Sequence, residues 1–404
     1  MARASRRGTP RPAASVATIT AWAASVMALN GLVGASWGPV LVPAAAHFHL
    51  GLLVTGSLFA VRGAASIGGA TLAGTLSERF PRHRLIAVYG AALAACLLGV
   101  AVAPAWWAVL AATAGISGAF GCVGVETSAL TAIAGGARRG RQLSITNAVY
   151  SIGATVGPLL VGLLIAAHLS WRLPFLLWSG LALGVLLPFS GAARALPARA
   201  DAPRQRGGRG APAWRPHTDL LVLWALAFTY NGVAWSIVGW SATWLTQRFG
   251  TGLVLGASSA TAFYACLTIG RLTNAWLADR VPSHRLLAVE ALLTAAGLVT
   301  SALAQAPLPA IAAFALTGLA MGGLYPNIQA AAVGLQPERP GAITATVSVA
   351  GAAGTMTVPA LTGALGSSAA AMGSLLAWAV VVAALGGLAA RTGRTRRPST
   401  DAHP

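Results

Sequence analysis

Twelve apolar stretches of membrane-spanning length, set apart by short clusters of arginine, constrain this chain before any other feature does. A helix needs about 20 apolar residues to cross the hydrocarbon layer of a bilayer. Stretches of that order run over 19–42, 50–76, 85–103, 106–134, 143–167 and 171–190, and again over 218–246, 252–277, 285–304, 309–333, 341–365 and 368–390. In lipid each backbone amide and carbonyl must be satisfied within its own segment, so every stretch is expected to be an α-helix. The chain is therefore predicted to be an all-α membrane protein of twelve transmembrane helices. Composition agrees, since 56% hydrophobic and 9% charged residues cannot cover a soluble surface. The first stretch follows Arg3, Arg6, Arg7 and Arg11 but lacks a small-residue cleavage site, so it is read as a retained span.

The formal net charge of +19 comes from 27 basic residues against 8 acids. Such a balance would suit a nucleic-acid partner only if the basic residues shared a face, and here they sit between apolar runs. Placing both termini in the cytoplasm puts all but four of the arginines in tails and inward loops. The four are Arg172 and Arg248 at the opposite surface, and Arg62 and Arg271 within apolar helices. The expected organisation is a cytoplasmic tail (1–18), a six-helix bundle (19–190), a cytoplasmic linker (191–217), a second bundle (218–390) and a cytoplasmic tail (391–404). The linker is rich in arginine, proline, alanine and glycine and reads as flexible.

The two bundles repeat each other at an offset of 201 residues. Asn30 and Gly31 match Asn231 and Gly232, Gly38 matches Gly239, Phe48 matches Phe249, and Gly69 matches Gly270. The register continues through Arg79 and Arg280, Pro81 and Pro282, Gly121 and Gly322, Pro158 and Pro359, and Gly162 and Gly363. A unit of six spans begins and ends on the same side, so the two copies are parallel and related by an axis along the membrane normal. A ligand site is expected between them near mid-membrane.

Whole-length resemblance enters at the loop after the second span, with Gly74, Glu78, Arg79, Arg82 and Arg84, and at its second-half counterpart with Gly270, Arg271, Asp279, Arg280 and Arg285. Both resemble the glycine, acid and basic cluster of the major facilitator superfamily of secondary transporters, with Pro81 and Pro282 standing where that family usually has glycine. The resemblance implies the major facilitator fold of two parallel six-helix bundles. It also implies that Glu78, Arg79, Arg82, Arg84, Arg271, Asp279, Arg280 and Arg285 act in gating, with the anionic members forming ion pairs that break as the bundles rock.

Two subfamily resemblances point in different directions. Gly153, Gly157, Pro158 and Gly162 in the fifth span resemble the glycine-proline motif of drug/proton antiporters, although the same residues could serve only to bend the helix. Gly121, Glu126 and Thr127 in the fourth span, and Gly322, Tyr325, Pro326, Asn327 and Gln329 in the tenth, resemble proton-coupled sugar permeases of the fucose type. Those permeases also carry an acid on the first span, where this chain has Pro39.

Intramembrane charge is costly unless paired or wet, so Glu126 and Arg62 stand out as candidates for proton coupling. In that reading Glu126 titrates while Arg62 favours its ionised form or recognises an anionic group on cargo; the bland reading is a permanent ion pair. Asn30, Asn231, Asn327 and Gln329 are candidate hydrogen-bonding groups for a substrate, and Tyr150, Tyr230, Trp235, Trp240 and Tyr325 candidate aromatic walls. The tryptophans could equally fill helix interfaces or an interfacial belt.

Seven histidines and three cysteines form no metal motif, no cofactor is implied, and no phosphate-binding glycine-lysine-serine motif supports ATP-driven transport. The chain is not expected to be an enzyme. The expected function is secondary active transport of a small organic solute by alternating access, coupled to protons. The alternatives are proton-linked export of a drug or metabolite, facilitative uniport, and a non-transporting sensor of the same fold. The expected partners are a small-molecule solute, a proton and membrane lipid, with no nucleic acid. The expected state is a monomer in the bacterial cytoplasmic (inner) membrane.

Overall fold

The computed structural model describes residues 16–135, 139–192, 218–278, 280–336 and 340–392. Among them the chain forms α1 (Val16–Ala35), α2 (Trp37–His47), α3 (Leu52–Arg79), α4 (Arg82–Val102), α5 (Trp106–Gly135), α6 (Arg139–Ala166) and α7 (Leu173–Ala192). The second half supplies α8 (Thr218–Phe249), α9 (Leu253–Leu277), α10 (Ser283–Leu303), α11 (Pro307–Leu335), α12 (Pro340–Ala364) and α13 (Ser368–Thr392). Twelve of these helices are long and apolar enough to cross a membrane, and α2 is the short remainder that extends α1. Large apolar side chains such as Leu72, Val88, Trp107, Leu272 and Val380 are more than half exposed, as lipid-facing positions require. The tails and most of the expected linker lie outside the described residues.

Helix ends fall within a few residues of the apolar stretches, with one instructive exception. The sequence suggested a single first span over 19–42, whereas the helix breaks at Ser36 and restarts at Trp37. Pro39 has no amide to give to the Ala35 carbonyl, and its ring crowds that carbonyl. The Ser36 hydroxyl instead donates back to the Leu32 carbonyl at 2.5 Å, and the ladder resumes with Val40 N–H on Ser36 O at 3.3 Å. The restarted helix runs on to His47 and closes with His49 in the left-handed region at φ 53°. Its counterpart in the second half, Gly250, has φ 63°. The turn geometry of the repeat thus survives a change of residue.

Without a hydrophobic force between helices inside lipid, close packing decides association, and glycine allows it. Gly69 of α3 lies on the Gly118 carbonyl of α5, and Gly270 of α9 lies on the Leu319 carbonyl of α11; a Cβ at either position would overlap backbone. These two crossings occupy matching places in the repeat. Within the first half α1 packs on α6, α3 on α5 and α4 on α7, while in the second half α8 packs on α12, α9 on α11 and α10 on α13. Buried apolar residues divide the same way. One cluster draws on the first half plus Trp240, and the other on the second half plus Ala35 and Ala154. The result is two six-helix bundles, each with its own core.

The bundles meet where α6 faces α9, α3 faces α12 and α2 faces α8. Because each half has an even number of spans, residues 48–51, 167–172, 250–252 and 365–367 share one end of the molecule, here the distal face. The described helix ends nearest both termini share the other. Near the distal face Gly38 of α2 sits against the Val238 carbonyl of α8. Gly56 of α3 faces Gly363 of α12, where an added Cβ would come within 3.2 Å of the Gly363 Cα. Trp240 of α8 lies with its ring 5.7 Å from that of Phe59 of α3, its Nε1 donating to the Pro359 carbonyl at 2.9 Å.

Candidate functional site

Proximal to this seam, α1, α3, α5 and α6 of the first half and α8 and α12 of the second enclose a cavity of about 240 Å³. α3 carries Arg62 into it. The guanidinium lies 4.8 Å from the centre of the Trp235 ring on α8, so one cation–π contact joins the two halves. Arg62 Nη1 is buried and has no hydrogen-bond partner. Asn30, Ser66, Ser117 and Thr355 add polar groups to the wall, and Phe59 and Phe120 add apolar ones. Among the described residues no carboxylate lines this cavity.

Tyr150 of α6 connects the cavity to a second polar group. Its ring meets Tyr264 of α9 edge-on at 6.4 Å and the two hydroxyls are hydrogen-bonded, again across the halves. Tyr150 lies within the fields of both Arg62 and Arg271. Arg271 Nη1 donates to the Ser151 hydroxyl, and its guanidinium also hydrogen-bonds Tyr230, whose ring stacks on Tyr325 at 5.3 Å. Two guanidiniums therefore stand among four phenols, Arg62 beside Tyr150 and Arg271 amid Tyr150, Tyr264 and Tyr230, with contributions from α3, α6, α8, α9 and α11.

Of the candidate substrate-binding residues, Asn30, Tyr150 and Trp235 line the cavity, and Tyr230 and Tyr325 stand beside it around Arg271. The others are placed elsewhere. Asn231 donates to the Ala227 carbonyl of its own helix at 3.1 Å and packs on Gly351. Trp240 belongs to the distal seam. Gln329 is half-buried on α11, outside the cavity wall.

Glu126 and Arg62 are not brought together. Glu126 is 1% exposed and faces Tyr89 of α4 and Cys122, on a side of α5 away from the cavity wall formed by Ser117 and Phe120. Its repeat mate Asn327 occupies the corresponding place in the second half. There Asn327 Nδ2 donates to Glu290 Oε2 and to Asn274 Oδ1, each at 2.9 Å, tying α11 to α10 and α9. Glu290 is the repeat mate of Tyr89, and Gly323 of Cys122. The Glu290 Oε1 atom sits where a Gly323 Cβ would fall. The two halves hold one carboxylate each at this level, buried Glu126 on α5 and half-buried Glu290 on α10.

Among the gating candidates, Arg271 is the central residue described above rather than a loop residue. Arg280 donates to the Trp276 carbonyl at 2.7 Å and lies 4.1 Å from that ring's centre, and Arg79, Arg84 and Arg285 are exposed at the terminal face. Asp279 lies outside the described residues, as do the side chains of Glu78 and Arg82. The sequence reading missed Tyr264 and Ser151. Tyr264 carried a usable signal, being one of five tyrosines in the chain and set within an apolar helix. Ser151, Ser117 and Thr355 carried none, since small hydroxyl residues are common in packed membrane helices.

Residues 23–307 match the family described as Major Facilitator Superfamily. Among solved structures, the chain is similar to a bacterial homolog of the human lysosomal transporter Spinster. In its inward-facing, occupied conformation that protein gives a TM-score of 0.76 at 16% identity, over 96% of this chain and 100% of the other. The unoccupied form of the same protein gives 0.74 at 16% identity, over 95% and 99%. The nucleoside transporter NupG gives 0.69 at 13% identity, over 95% and 99%. Identities this low establish a common fold and nothing finer.

Proposed function

The chain belongs to the Major Facilitator Superfamily, a multi-pass membrane fold for secondary transport of a small solute by alternating access, and from that premise we propose proton-coupled transport of a small organic solute through the cavity between the halves. The observation that carries the proposal is the cavity itself, walled by both bundles and bounded on its distal side by contacts that cross between them. Pockets that enclose drug-sized ligands run to about 300–1,000 Å³. A volume of about 240 Å³ suits a smaller cargo. Rocking of two independently cored bundles would expose this space to each side in turn.

Glu126 is the proposed proton site. Its burial in a membrane helix supports that role, since acids at such depth are costly, rare and characteristic of proton and ion paths. Coupling would be indirect. A change of charge at Glu126 alters how α5 seats against Tyr89 of α4, and the opposite side of α5 presents Ser117 and Phe120 to the cargo. The arginine-rich loops at the terminal face support a bacterial cytoplasmic-membrane protein with both termini inside, and the basic and acidic groups there are the proposed gate.

The test is Glu126→Gln in sealed proteoliposomes, which keeps side-chain size and removes the titrating charge. Flux driven by a pH gradient should fall by at least tenfold while equilibrium exchange of cargo persists. Unchanged gradient-driven flux in a correctly inserted Glu126→Gln protein would remove Glu126 from the coupling mechanism.

A further inference from the structure

We infer that the cargo is a small organic anion whose carboxylate or phosphate group is held by Arg62. The inference rests on the transporter reading above and narrows it to a substrate class. Arg62 is a permanent cation in a cavity that holds no carboxylate among the described residues. Its contact with Trp235 uses the charge but none of the N–H donors, and Nη1 is buried without a hydrogen-bond partner. A buried donor left unmade is unfavourable, and a charged one more so. A neutral cargo can at best accept from the fork, leaving the charge uncompensated while its bulk adds to the exclusion of water. An anionic cargo supplies both the missing charge and the missing acceptors.

The donor type narrows the class further. A guanidinium presents a planar fork that matches the two oxygens of a carboxylate or phosphate. Trp235 and Phe59 give the rest of the cargo an aromatic wall, and Tyr150 gives it a hydroxyl within reach of the same charge. Beyond Tyr150 stands the second guanidinium, Arg271, engaged with Ser151 and Tyr230. The field along this line is positive at both ends. A cation, or a zwitterion with an exposed ammonium, would meet two repelling guanidiniums there and, among the described residues, no lining carboxylate to offset them. The small volume confines the cargo to about one ring or a short chain beside its anionic group.

The experiment uses full-length protein purified in detergent and reads binding by thermal shift and by quenching of tryptophan fluorescence at constant ionic strength. The probes are benzoate against benzamide and phenyl phosphate against benzyl alcohol. Either anion should bind at least tenfold more tightly than its neutral counterpart, and the tighter of the two identifies the headgroup as carboxylate or phosphate. Arg62→Gln should abolish the preference. Arg62→Lys, which keeps the charge and loses the fork, should retain the preference with weaker affinity, and so separates loss of the site from loss of the fold. Equal binding of anion and neutral partner, anion preference that survives Arg62→Gln, or no binding of either anion by the wild-type protein overturns the inference. Binding in detergent requires no translocation. Arg62-dependent anion binding without vesicle flux would sink the transport reading alone, whereas saturable vesicle flux of neutral solutes that Arg62→Gln leaves intact would sink the anion reading alone.

Discussion

Substitution of Gly38 by alanine should shift the balance between the two arrangements of the halves rather than weaken the fold. Gly38 belongs to α2 and faces the Val238 carbonyl of α8, so the contact crosses from one bundle to the other. A Cβ there would lie 3.2 Å from the Val238 carbonyl carbon and closer still to its oxygen, where no rotamer change gives relief. Overpacking of this kind costs about 1–3 kcal/mol. Because the clash exists only when the distal face is closed, the whole cost falls on that arrangement, a shift of about 5- to 150-fold toward distal opening. Gly153→Ala supplies the comparison. Its Cβ would strike the Ala28 carbonyl, but both residues belong to the first half, so the clash persists however the bundles are arranged. Spin labels at Ala46 and Gln247, exposed on opposite sides of the distal pocket, report the separation once Cys96, Cys122 and Cys266 are replaced. Gly38→Ala should populate a longer distance with little change in melting temperature, and Gly153→Ala should do the reverse. Identical behaviour of the two variants would refute the assignment of Gly38 to the moving seam.

The buried amide network predicts a second contrast: Glu290→Ala removes an acceptor from Asn327 and should lower stability by roughly 1–3 kcal/mol, whereas Glu290→Gln keeps an acceptor and should melt near the wild-type temperature. Trp240→Phe loses the bond to the Pro359 carbonyl, at about 0.5–1.5 kcal/mol. That bond joins α8 to α12 within one bundle, while the ring packs on Phe59 across the halves, so the loss should appear in thermal unfolding and also as a modest shift toward longer distances between labels at Ala46 and Gln247.

The spans were legible because lipid imposes a length and a polarity on them, and the repeat was legible because glycine and proline positions recur where backbones approach or turn. Gly69 and Gly270 illustrate this, each pressed on a partner carbonyl. The break at Ser36 was less legible, since proline is tolerated in membrane helices and only the hydroxyl's return to Leu32 decides where the ladder yields. Rotation about a helix axis is what the sequence concealed. Glu126 and Arg62 share a depth in the chain's pattern, yet α5 turns its acid toward Tyr89 while α3 turns its guanidinium toward Trp235. In membrane helices both lipid-facing and core-facing sides are apolar, so no amphipathic stripe fixes that rotation. Asn327 shows the same limit, aligned in the repeat with a suspected pathway residue but committed to Glu290 and Asn274.

The seam near the distal face is made of close backbone approaches and an aromatic pair, at Gly38 and Val238, Gly56 and Gly363, and Phe59 and Trp240. Contacts of that kind act through steep short-range repulsion and dispersion, with which dissolved ions do not compete. Salt weakens interactions between exposed charges over a Debye length of about 8 Å at physiological strength, and this seam offers it no charge to weaken. The distal closure is in that sense insulated from the ionic composition of the medium it faces. Sensitivity to salt is left to the charges outside the seam, Arg172 and Arg248 at the distal face and the arginine-bearing loops on the other side.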